Sequence, residues 1–81
     1  MRPGDLVMTK GASHVVLSKQ PIDVRREPAG IAKCTEVGLI IARELACDAE
    51  ADNRFPEVLV LFGIKLGWAA AIRFRHVELI R

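Results

Sequence analysis

Short stretches of apolar residues recur along this chain, separated by glycine, proline and charged residues, and their length and composition predict β-strands. One uninterrupted stretch is Val58–Phe62, which contains only valine, leucine and phenylalanine. Such a run is typical of a strand buried on one or both faces. The turn Gly63–Lys65 follows, and a second strand opening at Gly67-Trp68 is expected to pair antiparallel with the first. We therefore predict a central β-hairpin.

The first part of the chain predicts two short strands followed by a long loop. Pro3-Gly4-Asp5 indicates a turn, Leu6–Thr9 a strand that leaves it, and Val15–Leu17 a second extended piece. From Ser18 to Lys33, two prolines, a glycine and a charge cluster break the pattern. Loops of this length tend to be functional or mobile. This loop is thus the first candidate for partner contact, with a solvated variable loop as the alternative.

The middle of the chain predicts a further strand and an acidic loop. In Glu36–Leu45, both sets of alternating positions carry small or apolar residues. A helix competes here because alanine and glutamate are frequent, but Gly38 and the β-branched pair Ile40-Ile41 favour a strand. Cys47–Arg54 is predicted to be an acidic connecting loop, and Pro56 limits how far the next strand extends backwards.

The last part of the chain predicts the end of the hairpin, one turn and a terminal strand. Trp68–Ile72 continues the second hairpin strand, although its triple alanine would ordinarily favour a helix. Arg73–His76 is predicted to be a single helical or 3-10 turn, and Val77–Ile80 a strand. Five short strands, one long early loop and a single turn before the last strand predict an all-β fold. We expect one domain over residues 1–81 that closes into a small barrel.

Composition and charge narrow the class of function. The chain has 81 residues, of which 51% are hydrophobic, and a domain this small buries only about 60% of its unfolded surface. A partner or self-association would add to its stability. The formal net charge of +2 does not favour nucleic acid as the partner. We expect neither secretion nor membrane insertion, because a signal-like apolar segment and a run of about 18 apolar residues are both missing.

Residues with reactive or metal-binding side chains are few and widely spaced. The soft metal ligands His14, His76, Cys34 and Cys47 include no pair at zinc-site spacing. Cys34 follows Lys33, but no neighbouring base is evident for a nucleophile. The carboxylates that remain are Glu36, Glu44, Asp48, Glu50 and Asp52. Acid–base work needs a cleft that separates their pKa values, so we predict a solvated acidic surface, no catalytic residue, no metal site, no cofactor and no enzymatic activity.

Several segments resemble the small SH3-like barrel proteins of tailed bacteriophages. These segments are Pro3–Val7, Val37–Ile41, Val58–Phe62, Gly67-Trp68 and Val77–Ile80. In that family a Trp-bearing hairpin is followed by a short turn and a Leu-Glu-Val-Ile-like strand, whereas the last strand here reads Val-Glu-Leu-Ile. The resemblance covers nearly the whole chain outside Ser18–Lys33. It implies a five-stranded SH3-like barrel that serves as a structural or assembly component of a virion, in the tail, baseplate, neck or capsid.

The same segments are similar to other SH3-like proteins. Gly4-Asp5-Leu6-Val7 and Val37-Gly38-Leu39-Ile40 resemble KOW-type modules of ribosomal and transcription proteins, although their separation is longer here. They also resemble the variable subunit of ferredoxin–thioredoxin reductase and a small subunit of photosystem I. Two alternatives therefore stay open, a nucleic-acid-binding KOW-like barrel and an accessory subunit of an enzyme complex.

The residues predicted to contact a partner lie in the long loop, in the hairpin and in the last turn. They are Ile22, Val24, Arg25, Arg26, Trp68, Arg73, Phe74 and Arg75. Trp68 is either packed in the core or barrel rim or is an interface anchor. Phe74 is either a core residue or docks a neighbouring subunit, with Arg73 and Arg75 bonded at the rim. The same Arg-aromatic-Arg sequence suits base stacking and phosphate contact.

The expected function is that of a non-enzymatic interaction module. It assembles with protein subunits of a larger complex, as a homo-oligomer or in several copies. Nucleic acid is a possible partner that is not favoured, and a membrane is not expected. The expected location is the virion or the host cytoplasm.

Overall fold

The protein folds as one curled antiparallel sheet, a half-barrel, in a computed structural model that describes residues 1–20, 27–48 and 53–77. Its strands are β1 Leu6–Thr9, β2 Val15–Ser18, β3 Pro28–Ala32, β4 Gly38–Asp48, β5 Asn53–Phe62, β6 Lys65–Ala70 and β7 Phe74–His76, with a 3-10 turn at Ala71–Arg73. Their order across the sheet is β3-β2-β6-β5-β4-β1-β7. The predicted all-β class is confirmed, but the described residues form seven strands and not five. No helix in this part of the chain is long and apolar enough to cross a membrane.

The central hairpin is formed by β5 and β6. Their register runs from Glu57↔Ala70 to Phe62↔Lys65, so only Gly63 and Ile64 form the turn. Gly63 has a φ of 62°, in the left-handed region that glycine enters at little cost. The prediction that the second strand opens at Gly67 was wrong by two residues, because this tight turn allows pairing from Lys65 onward.

The predicted loop Ser18–Lys33 contains a strand that its sequence does not suggest. β3 occupies Pro28–Ala32 and pairs antiparallel with β2, placing Ile31 opposite Val16. β3 is the last strand on its side of the described sheet. Proline is tolerated as the first residue of a strand and on sheet edges, where its missing N–H breaks no ladder. The prediction was therefore wrong for this part of the segment, while residues 21–26 lie outside the described residues.

The predicted acidic loop Cys47–Arg54 is also shorter than expected. β4 continues to Asp48 and β5 begins at Asn53, with Cys47 paired to Arg54. Pro56 lies inside β5 opposite Leu45, beyond the end of the β5–β6 ladder at Glu57. A proline is acceptable at this position because β6 no longer pairs with β5 there.

The C-terminal prediction was wrong by about two residues. The 3-10 turn is Ala71–Arg73, closed by the N–H of Phe74 donating to the carbonyl of Ala71, so Trp68–Ile72 is not strand throughout. The residues after the turn pair with β1, placing Phe74 opposite Thr9. In the predicted terminal strand, Val77 follows β7 and its N–H donates to the carbonyl of Leu6. Residues 78–81 lie outside the described residues.

The core lies inside the curl of the sheet, on the face to which alternate residues of each strand point. Its buried hydrophobic residues are Val7, Val15, Leu17, Ala32, Ile40, Val58, Val60, Phe62, Ala69 and Phe74. Phe62 and Phe74 are the largest of them, and their ring centroids lie 6.0 Å apart with the planes tilted by 34°. Because successive strand residues point to opposite faces, the residues between these core positions form a second, outer face.

Candidate interaction surface

Four leucines form a row across the outer face of the sheet. The strand register places Leu6 opposite Leu39, Leu39 opposite Leu61, and Leu61 opposite Leu66. Strands lie about 4.8 Å apart, so this row extends about 14 Å across β1, β4, β5 and β6. Leu6 is 36% exposed and Leu66 47% exposed. Water therefore reaches a continuous apolar row, which we call the leucine row.

A second row lies beside the leucine row and contains the only tryptophan. Leu59 is opposite Ala42 on one side and Trp68 on the other, and all three are half-buried. Ala42 is in this row because a bulge between Ile40 and Ala42 shifts the register of β4. Simple alternation of β4 would have placed Ile41 there. The leucine row, Ala42, Leu59 and Trp68 together form what we call the outer face.

The two ends of the described sheet are less suited to pairing with another strand. β3 begins with Pro28, which has no N–H to donate, and β7 contains only three residues, Phe74–His76. Short edge strands and edge prolines or charges are devices that oppose edge-to-edge pairing. Arg75 adds a charge to β7. The two ends of the described sheet are therefore poorly suited to strand addition, although Ile31 of β3 is itself exposed.

The predicted contact residues separate into three groups in the structure. Ile22, Val24, Arg25 and Arg26 lie outside the described residues. Trp68 lies on the outer face, between Leu59 and Ser18 on the neighbouring strands. At the end of the described chain come Arg73, Phe74 and Arg75. Although they are consecutive, their side chains have different surroundings.

Phe74 is a core residue. Its side chain is 2% exposed and packs near Phe62, so it is not available for docking. Arg73 and Arg75 are both exposed. The Arg75 Nη2 lies 3.6 Å from the Met8 sulfur across the β1–β7 pair, whereas Arg73 lines a cavity beside β2 and β6. The Arg-Phe-Arg sequence therefore does not form one continuous binding surface.

Lys65, which precedes Leu66 in β6, ties three segments together. Its Nζ donates to the Glu36 carboxylate at 2.5 Å and to the Ile31 carbonyl at 2.9 Å. The same carboxylate accepts the N–H of Lys33 at 3.2 Å. The hydrogen bond from Lys65 holds the pKa of Glu36 below its ordinary value of 4.5. This ion pair fixes β3 and the residues before β4 to the start of β6, next to one end of the leucine row.

We expect Glu36→Gln to be destabilising at about pH 6 and to approach wild type as the pH falls below about 4.5. The pKa of Glu36 is lowered by folding, so the unfolded chain takes up its proton at the higher pH. The stabilisation is therefore complete above the unfolded pKa and is lost as the pH falls through the folded one. Urea unfolding over this pH range measures the difference. The control is Glu27→Gln, which removes an exposed pair with Lys19 at 3.7 Å and should stay close to wild type; a pH-independent gap for Glu36→Gln would contradict the prediction.

A second polar contact joins the N-terminal turn to β7. The Asp5 carboxylate accepts the N–H of Arg2 at 2.9 Å and lies 3.0 Å from His76 Nε2. The hydrogen bond from Arg2, followed by that from His76, lowers the pKa of Asp5. This contact occupies His76 in a structural role at the edge of the sheet.

The other chemically versatile side chains do not converge in the described residues. His14 lines the cavity that Arg73 also lines, and Cys34 is a half-buried free thiol. Within residues 1–20, 27–48 and 53–77, no group of three His, Cys, Asp or Glu side chains is placed to hold a metal ion. Within this part of the chain, the outer face places apolar side chains of four neighbouring strands side by side.

The sequence analysis named Trp68 as a candidate contact residue but did not name the leucines around it. The sequence did contain a signal: in Val58–Phe62 both sets of alternating positions are apolar. Leu39 and Leu66 are likewise apolar in the flanking strands. What the sequence lacked was the register, which decides that these leucines lie opposite one another. His14 was considered only as a metal ligand, and nothing near it in sequence indicated a cavity.

Comparisons of the chain with protein-family models, with curated proteins and with solved structures found no match. The function has therefore to be argued from the surface itself. The principal features of this surface are the outer face, the sheet ends at β3 and β7 that are poorly suited to strand pairing, and the cavity next to Arg73.

Proposed function

We propose that this protein is a non-enzymatic structural subunit that assembles in several copies through its outer face. The observation that carries the proposal is the leucine row, in which four leucines on four strands face away from the core. Exposed contiguous apolar surface on a small protein is typical of a site where another protein binds. Trp68 beside this row is of the residue type most often found at binding hot spots.

The partner we propose for this face is a second copy of the chain. Two sheets pack face to face at about 10 Å, with their inner side chains interdigitated. Because a two-fold axis brings the same patch of each copy together, one leucine row would lie against the other. The sheet ends support face packing over strand addition, since β3 opens with Pro28 and β7 is short and charged.

We further propose that the fold is an SH3-like barrel. We also propose that the protein belongs to the virion of a tailed phage. The barrel is supported by the curl of the antiparallel sheet and by the 3-10 turn at Ala71–Arg73 before a short strand. The setting is supported by the resemblance of Pro3–Val7, Val37–Ile41 and the Trp-bearing hairpin to phage proteins. Neighbouring genes for head or tail proteins are the expected finding, and a neighbourhood without viral genes would contradict the setting.

The self-assembly is tested by introducing a charge on the outer face. We expect the wild-type protein to sediment as a species larger than a monomer, with a mass that increases with concentration. Leu66→Lys places an ammonium group in the leucine row, which should weaken association at least about tenfold, equivalent to about 1.4 kcal/mol. Sedimentation velocity over a wide concentration range measures the mass of the wild-type species and the loss of association in the variant.

The matched control is Ile64→Lys. Ile64 is fully exposed at the tip of the same hairpin and is two residues from Leu66, so the same charge there should leave association unchanged. Circular dichroism establishes that both variants are folded. A wild-type monomer at every concentration would contradict the proposal, as would equal weakening by the two substitutions.

A further inference from the structure

A cavity of about 330 Å³ lies beside the beginning of β2 and the end of β6. Its lining consists of His14, Val15, Val16, Phe55, Ala69, Ala70 and Arg73. The volume is within the range of small-molecule sites, which is about 300–1,000 Å³. Such sites combine apolar walls with a few polar groups that orient the ligand, and this lining has that composition.

The apolar residues of the lining come from three strands, and the two from β6 are alanines. Val15 and Ala69 belong to the buried core, while Phe55 is contributed by β5 beyond the point where β5 and β6 separate. Ala69 and Ala70 are part of the triple alanine that follows Trp68. In β6 each of them contributes only a methyl group to the lining.

Two polar side chains complete the cavity, and neither is engaged elsewhere. Within the described part of the chain, the Arg73 guanidinium and the His14 imidazole have no ion-pair or hydrogen-bond partner. A guanidinium binds a carboxylate through two parallel N–H···O bonds. An imidazole N–H supplies a further donor. The polar part of this lining is therefore complementary to an anion with two oxygens in one plane.

We propose that this cavity binds a small carboxylic acid with an apolar body. Its carboxylate accepts hydrogen bonds from Arg73 and His14, and its apolar part contacts Val15, Ala70 and Phe55. A carboxylate with an apolar body fits better than a phosphate, because one guanidinium is present and five of the seven lining residues are apolar. The lining of this site shares no residue with the leucine row, Ala42, Leu59 or Trp68.

Benzoate is a suitable probe, with benzamide as its neutral counterpart of similar shape and inorganic phosphate as an anion without an apolar body. Titrations followed by ¹⁵N–¹H NMR should show saturable shifts of the Ala69 and Ala70 amide signals with benzoate. Benzamide and phosphate are each expected to bind at least about tenfold more weakly. The absence of saturable shifts with benzoate, or equal binding of benzamide, would overturn the proposal.

Substitutions distinguish the contribution of the Arg73 charge to benzoate binding from that of the cavity volume. Arg73→Gln should weaken benzoate binding at least about tenfold, whereas Arg75→Gln, an equal loss of charge outside the cavity, should not change it. Ala70→Leu fills the cavity with both polar groups retained and should also abolish binding. The amide spectrum shows whether each variant is folded. Equal losses in Arg73→Gln and Arg75→Gln would mean that benzoate responds only to net charge, and would overturn the proposal.

Discussion

Replacing Phe62 with alanine is expected to lower the free energy of unfolding by about 3–5 kcal/mol. Phe62 is fully buried and contacts the other large ring of the core, Phe74. Removing it loses the transfer free energy of the ring and leaves a cavity that the curled sheet cannot fill. Native domains are stable by only about 5–15 kcal/mol, so the variant is expected to be close to unfolding. Urea denaturation followed by circular dichroism measures the change.

The control for this substitution lies two residues away in the same hairpin. Ile64 is also a large apolar residue, but its side chain is 100% exposed. Ile64→Ala is expected to change the free energy of unfolding by less than about 0.5 kcal/mol. Similar losses for the two variants would mean that Phe62 is not the centre of the core.

Introducing a single methyl group at Gly38 is expected to destabilise the protein by about 1–3 kcal/mol. A Cβ at this position would lie 2.6 Å from Val60 Cγ1 and 2.6 Å from Phe62 Cζ. Both neighbours are buried core side chains that have little room to move. β4 can approach the core this closely only because residue 38 has no side chain. Urea denaturation of Gly38→Ala measures the cost.

Gly30→Ala is the matched control, since it makes the same change in another strand. A Cβ there would lie 3.4 Å from methylene carbons of Lys65, which is ordinary contact with a flexible side chain. We expect this variant to be neutral or slightly more stable, by up to about 0.5–1 kcal/mol, because alanine restricts the unfolded chain. Equal destabilisation by both substitutions would show that the effect at Gly38 does not come from core crowding.

The two faces of the sheet account for the high apolar content of so short a chain. Val58, Val60 and Phe62 of β5 fill the core, while Leu59 and Leu61 between them form part of the outer face. A small domain with one core has no need for the second set of leucines. Their presence on an open face is what supports assembly as the function proposed here.

The strands that the sequence predicted well are those with local signals. Leu6–Thr9 was correct at both ends, because a turn precedes it and Lys10-Gly11 follows it. Val15–Leu17 and the end of β5 at Phe62 were also found, since glycine or polar residues interrupt the apolar runs there. Such signals act over a few residues and need no knowledge of the partner strand.

The strands that were missed depend on distant residues. Pro28–Ala32 has little β propensity of its own, and it becomes a strand because β2 supplies its hydrogen bonds and Lys65 binds the Ile31 carbonyl. Phe74 was placed in a short turn that connects to the terminal strand. Burial beside Phe62, more than 10 residues away in sequence, extends the chain there and pairs it with β1.

The sequence by itself determined that this protein is all-β and that its strands carry apolar residues on both faces, because strand periodicity and composition are local properties. It also identified Trp68 as a residue to examine. Only the tertiary structure decided which apolar residues share a face and lie opposite one another. The bulge between Ile40 and Ala42 shifts β4 by one residue, and a shift of one residue moves a side chain to the other face. The leucine row and the cavity at Arg73 both depend on such long-range pairing, which no single stretch of the chain specifies.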